Sequence, residues 1–175
     1  QPVDVGEGLE PRARRDGGIA LDRPKRLQGA RCVEVVGERG HINVTSFNRM
    51  ALITGEVPTE ADRVAVEQAI AKIENVRSTV NDLAVMGSSS LGARSNDTIL
   101  TSKVKATYVD AKDLQATAVK VVTERGTVYL LGRVTEREAS RAVELARGIS
   151  GVQKVVRVFE ILTEQELATL GDQKK

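Results

Sequence analysis

The chain carries one passage twice, and that duplication restricts its possible folds more than any other feature. Ile42-Asn43-Val44-Thr45 followed by Met50-Ala51-Leu52-Ile53-Thr54-Gly55-Glu56-Val57 returns as Val119-Lys120-Val121-Val122 followed by Val128-Tyr129-Leu130-Leu131-Gly132-Arg133-Val134. The offset is 77 residues from Ile42 to Val119 and 76 from Thr59 to Thr135, because Pro58 is an extra residue in the first copy. Beyond that slip Ala69 matches Leu145, Ile73 matches Ile149, Val76 matches Val152 and Val80 matches Val156. A repeat of this length is a domain, not a turn of a solenoid.

Two units of about 70 residues are small but feasible within 175. Their cores must be aliphatic, since there is no Trp and the aromatics are Phe47, Phe159, Tyr108 and Tyr129. The net charge of +2 is unevenly spread: residues 95–162 hold 11 Lys and Arg against 8 Asp and Glu, residues 41–85 hold 4 against 6. The second unit is therefore the one expected to meet an anionic surface. No apolar run approaches the roughly 18–20 residues of a spanning helix. The start at Gln1 instead of Met reads as a processed or truncated form with its export signal outside the sequence. Cys32 is alone and follows Arg31, so it is read as an incidental thiol and not as a lipid-attachment site.

Punctuation gives the order of elements. Residues 41–47 alternate His41, Asn43, Thr45 and Phe47 against Ile42, Val44 and Ser46, a two-residue period; Asn48-Arg49 turns the chain into a more continuously apolar strand, 50–57. Strands 118–123 and 127–134 flank Glu124-Arg125-Gly126, with Gly126 suited to a positive φ. Each hairpin precedes a helix: Thr135-Glu136-Arg137-Glu138 fits a capping box and Thr59-Glu60-Ala61-Asp62 is a weaker version. Val66, Ala69, Ile70 and Ile73, and likewise Ala142, Leu145, Ala146 and Ile149, recur at helical spacing. Asn75 and Ser150-Gly151 are expected to end these helices, and 76–85 and 152–162 read as third strands, parallel to the hairpins after a helical crossover. One core is expected from Ile42, Val44, Leu52, Ile70, Ile73 and Val80, the other from Val121, Leu130, Leu145, Ile149 and Val156.

Ile42-Asn43-Val44-Thr45-Ser46-Phe47-Asn48-Arg49-Met50, Leu52-Ile53-Thr54-Gly55-Glu56-Val57-Pro58, Ser95-Asn96-Asp97-Thr98 and Gly132-Arg133-Val134-Thr135-Glu136-Arg137-Glu138-Ala139 closely resemble the dual BON-domain lipoproteins of Gram-negative outer membranes, over about residues 40–165. The resemblance implies an α+β fold of two tandem BON domains, each a small three-stranded mixed sheet packed against helices in the order αββαβ. With the residue pattern, the divisions fall at 1–16 (a disordered N-terminal segment), 17–85 (first domain), 86–94 (linker), 95–163 (second domain) and 164–175 (tail). It also implies a periplasmic protein at the inner face of the outer membrane, lipid-anchored in its full-length precursor, that binds anionic phospholipid through the first helix of the second domain and supports envelope integrity. Two departures stand out. Residues 17–40, where the family has a clean amphipathic helix, contain Gly17-Gly18, Pro24, Gly29, Gly37 and Gly40, which points to an irregular or partly helical segment. The aromatic that follows Asn-Asp-Thr in relatives is here Ile99.

The helix expected over 97–112 has two apolar sides at about 100° per residue. Leu100, Val104, Thr107, Tyr108 and Ala111 would cover the sheet; Ile99, Ser102, Ala106 and Val109 form a weaker second face flanked by Lys103 and Lys105. With Asn96 at its start, this face suits shallow insertion of small apolar groups, with lysines at headgroup level. The alternative is that it packs on the other domain. His41, the single histidine, heads a strand and reads as a partly exposed, satisfied imidazole; no His/Cys cluster has metal-ligand spacing and no Gly-rich phosphate loop precedes a helix. No reaction, cofactor or nucleic-acid partner is implied. Three classes remain: a lipid-binding envelope protein, a periplasmic adaptor or chaperone-like factor docking the outer-membrane protein assembly machinery, and a hydrolase, which would need a deep polar pocket.

Overall fold

The computed structural model describes residues 39–87 and 91–172. The expectations for 1–16 and for the first 22 residues of the segment 17–40 fall outside this range. The described chain runs β1 (His41–Phe47), β2 (Met50–Val57), α1 (Glu60–Ala71), β3 (Ser78–Val85), α2 (Leu91–Asp110), a short 3₁₀ turn (Ala116–Ala118), β4 (Val119–Glu124), β5 (Thr127–Val134), α3 (Glu136–Arg147), β6 (Lys154–Ile161) and α4 (Glu164–Asp172).

Two separate three-stranded sheets result, ordered β1-β2-β3 and β4-β5-β6, each an antiparallel hairpin with a parallel third strand. Both hairpins turn on two residues of positive φ, Asn48 (44°) with Arg49 (66°) and Arg125 (49°) with Gly126 (73°), as two-residue turns matched to strand twist require. The helix starts are as read: Thr135 Oγ1 accepts from the Glu138 amide at 3.3 Å while Glu138 accepts from the Thr135 amide at 3.1 Å, and Thr59 accepts from the Asp62 amide at 3.1 Å. The helices stop about one turn ahead of the expected stop signals. α1 and α3 end at Ala71 and Arg147, and the chain turns before reaching Asn75 (φ 71°) and Gly151 (φ 98°).

Side-chain alternation sorts each sheet into two buried faces. Ala51, Ile53, Val57 and Leu83 face α1 with Val66 and Ile70, and Ile42 and Val44 pack against them. Val121, Val128, Leu130 and Val134 face α2 and α3, with Val104, Tyr108, Ala139, Ala142 and Ala146. The opposite faces of the two sheets pack on each other through Phe47, Leu52, Tyr129, Leu131 and Val158, with Met50, Val80, Val122 and Val156 at the margins. This corrects the expected cores: Leu52, Val80 and Val156 belong to the seam between domains, because the pairings Leu52↔Val80 and Tyr129↔Val156 place them one residue out of phase with the helix-facing set. The continuous apolarity of β2 has the same cause, since a strand buried on both faces does not alternate.

The seam is reciprocal. The Asn48 amide at the first hairpin's turn donates to Glu160 near the end of β6, while Arg125 at the second turn donates to Gly55 O at the end of β2 (2.9 Å). Tyr129 OH donates to Asp82, Asn43 donates to Glu124 at 2.7 Å, and Arg125 pairs with Glu56 at 3.4 Å. Glu56 is fully buried, and its second oxygen has no partner, like the Thr54 hydroxyl two residues before it on the same face. Close approach of strands needs glycine at Gly55 and Gly132, where an added Cβ would lie 1.9 Å from His41 O and 2.2 Å from Ala118 O.

Leu131→Ala removes a fully buried seam side chain and should cost about 2–5 kcal/mol; denaturant titration checks this, and amide shifts should change in both domains. The chain's two tyrosines, Tyr108 and Tyr129, have their pKa values raised by burial, Tyr129 further by its bond to Asp82. A raised folded-state pKa favours the protonated native form. This stabilisation is complete below the ordinary tyrosine value of about 10 and is lost as pH rises beyond it. Phenolate absorbance should therefore appear together with unfolding in an alkaline titration, and a separate early phenolate signal would contradict the burial of these rings.

Candidate functional site: the outer face of the second domain's first helix

α2 begins at Leu91, ahead of the expected start near Asn96, and ends at Asp110. Its inner side is the one read from the sequence. Leu100, Val104 and Tyr108 are buried, and Tyr108 OH donates to Ala142 O of α3 at 2.7 Å. Leu100 lies against Gly151, where an added Cβ would come within 2.9 Å of its Cδ2. The helix is thereby fixed to its own sheet and to α3, and among the described residues its opposite side covers no other element.

All seven candidate residues, Asn96, Ile99, Ser102, Lys103, Lys105, Ala106 and Val109, are exposed on α2. Ile99 retains 53% and Val109 74% of its accessible surface, so this face does not pack on the first domain, which meets the second through the sheets. Three hydroxyls of α2 are satisfied within the helix: Thr98 donates to Arg94 O (3.1 Å), Ser102 to Thr98 O (3.1 Å) and Thr107 to Lys103 O (2.9 Å). Such back-bonding lets a Ser or Thr leave water without an orphaned donor. Lys103 and Lys105 lie on either side of the apolar stripe, with no carboxylate partner among the described residues. The arrangement offers an anionic surface two cations, two exposed branched apolar side chains and few unsatisfied polar groups.

Sequence reasoning assigned no role to Asp97, which is 7% exposed and accepts from the amides of Arg125 (2.8 Å) and Gly126 (2.9 Å) at the β4–β5 turn. The signal was present: in helical projection this acid falls on the same side as Val104 and Tyr108. Thr101 donates to Thr123 at 2.7 Å beside it.

A polar cleft of about 250 Å³ opens where α2 meets the seam, lined by His41, Asn43, Arg94, Asp97, Thr98, Thr101, Thr123 and Glu124. Several of its polar groups are already engaged: Asp97 with turn amides, Glu124 with Asn43, Thr101 with Thr123. No hydroxyl there is held by a base, the arrangement nucleophilic catalysis needs. Among the described residues no group of three or more His, Cys, Asp or Glu side chains could hold a metal ion, and no helix is long and apolar enough to cross a membrane.

Comparison with known proteins gives a match to the BON domain over residues 33–87 and again over 96–163. The chain is 41% identical over 125 residues to the outer membrane lipoprotein DolP of Haemophilus influenzae, covering 70% of this chain and 64% of that protein. It is 32% identical over 122 residues to the 21 kDa hemolysin of Actinobacillus pleuropneumoniae (70% and 63%), and 34% identical over 112 residues to the osmotically-inducible protein Y of Escherichia coli (61% and 56%). The chain thus spans less than two thirds of the length of these curated relatives.

Proposed function

The chain belongs to the BON-domain family, with two copies of the domain, and from that premise we propose that it is a periplasmic phospholipid-binding protein that supports outer-membrane integrity. Its likeness to an outer membrane lipoprotein and to an osmotically inducible protein supports an envelope location and a part in stress tolerance. The observation that carries the lipid reading is the free outer face of α2. Ile99 and Val109 stay exposed although the two domains pack extensively elsewhere. An exposed apolar stripe flanked by lysines is the pattern of a helix that lies in a bilayer interface. Ile99, Ala106 and Val109 enter the acyl boundary, Ser102 enters with its hydroxyl satisfied, and Lys103, Lys105 and Asn96 remain with the headgroups. No step of this activity is chemical; the protein binds and does not turn over a substrate.

Affinity then has an apolar and an electrostatic part, the latter about 1 kcal/mol per lysine near an anionic surface. Ile99→Asp should weaken co-sedimentation with anionic liposomes at every salt concentration, whereas the double change Lys103→Glu, Lys105→Glu should weaken it most at low salt, where screening is least. Ile99→Trp should strengthen binding, since an indole settles at the interface, and neutral liposomes should bind poorly. A parent protein that ignores anionic liposomes would replace this reading with that of an adaptor docking a protein partner.

A further inference from the structure

The proposed bilayer-reading face has to be presented at a defined angle, and one buried acid lies where that angle is set. Asp97 precedes the stripe by two residues but points inward, with one carboxylate oxygen on the Arg125 amide at 2.8 Å and the other on the Gly126 amide at 2.9 Å. Two successive amides at a turn of positive φ converge on an anion, and a carboxylate satisfies both. The same turn reaches across the seam, where the Arg125 guanidinium donates to Gly55 O at 2.9 Å and lies 3.4 Å from Glu56 Oε1. A continuous set of polar contacts therefore runs from α2 through the β4–β5 turn to β2 of the first domain.

We propose that Asp97 is the positioning residue of the bilayer-reading face: its carboxylate fixes the N-terminal half of α2 to the β4–β5 turn, and Arg125 extends that fix to the first domain, so that both domains meet the bilayer with α2 at one set angle. Asp97 itself does not touch lipid. This inference rests on the proposed lipid binding for its consequence, while the geometry it asserts is measurable without lipid. Without Asp97, Leu100, Val104 and Tyr108 still hold the C-terminal part of the helix to the core. The turns ahead of Leu100 lose their tie to the β4–β5 turn and become free to tilt, and Ile99, at the junction with the anchored part, changes its angle relative to Val109.

The test uses Asp97→Ala and Asp97→Asn in the full chain, with residual dipolar couplings reporting the orientation of α2 against both sheets in lipid-free protein. Vesicles of phosphatidylglycerol in phosphatidylcholine report binding. Asp97→Ala should change the orientation of residues 91–99, shift the Arg125 and Gly126 amides, and weaken vesicle binding about fivefold or more. The salt dependence of binding should stay as in the parent, because Lys103 and Lys105 are untouched. Asp97→Asn keeps one acceptor and should fall between the two; it decides the question if the alanine variant does not fold. Arg125→Gly tolerates the positive φ and removes only the guanidinium, so it should loosen the domains relative to each other while leaving α2 fixed on its own sheet. A folded Asp97 variant whose α2 keeps its orientation, or that binds vesicles like the parent, overturns the inference. Failure of the parent to bind vesicles removes the lipid reading instead, and the couplings still decide whether Asp97 sets the angle.

Discussion

The packing of two small sheets back to back is the interaction on which the rest of the structure depends. Each domain alone has one helix-covered face and one apolar face that would be left in water, with Leu52 on one sheet and Tyr129 and Leu131 on the other. Fully burying a side chain of this size contributes roughly 1.5–3 kcal/mol, and small domains cannot forgo several such contributions. Duplication provides the second sheet. The two copies cover each other's exposed faces through a reciprocal arrangement, with each hairpin turn contacting the strand ends of the other domain, as an isologous dimer would.

That solution has an electrostatic cost. The seam encloses Glu56, with one oxygen on Arg125 and the other unpartnered, together with the carboxylates of Asp82, held by Tyr129, and Glu124, held by Asn43. Buried carboxylates with incomplete partners weaken a contact more than an apolar substitute would, so the apolar half of the seam carries most of its stability. The polar half defines its register through Arg125 on Gly55 O and Asn43 on Glu124. The sheets consume their own outer faces, and the outer side of α2 carries the two most exposed large apolar side chains among the described residues, Ile99 and Val109.

Much of this architecture was legible in the sequence. The repeat gave two units, the alternation in 41–47 and the pattern after Thr135 gave strands and a capped helix, and the second apolar face of 97–112 was visible in projection. The seam was not. Leu52, Val80 and Val156 were taken for helix-facing core because apolarity alone does not say which of two buried faces a residue occupies; only the pairing register does. The inward side of Asp97 is visible in helical projection, but its role is not, since its partners, the amides of Arg125 and Gly126, are backbone groups 28 and 29 positions away that leave no mark in side-chain pattern. The helix start at Leu91 is hidden in the sequence because Gly92 reads as linker, whereas the helix runs through it.

On the proposed reading, sheet-on-sheet packing leaves the outer face of α2 free to meet an anionic bilayer while the seam stays closed. Amide chemical shifts of the isotopically labelled protein, followed on addition of small phosphatidylglycerol assemblies, test this most directly. Shifts should be confined to Asn96, Ile99, Ser102, Lys103, Lys105, Ala106 and Val109 and their immediate neighbours, with Leu52, Tyr129, Leu131 and Val158 unmoved. Perturbation centred on the seam residues, or the absence of any change along α2, would contradict it.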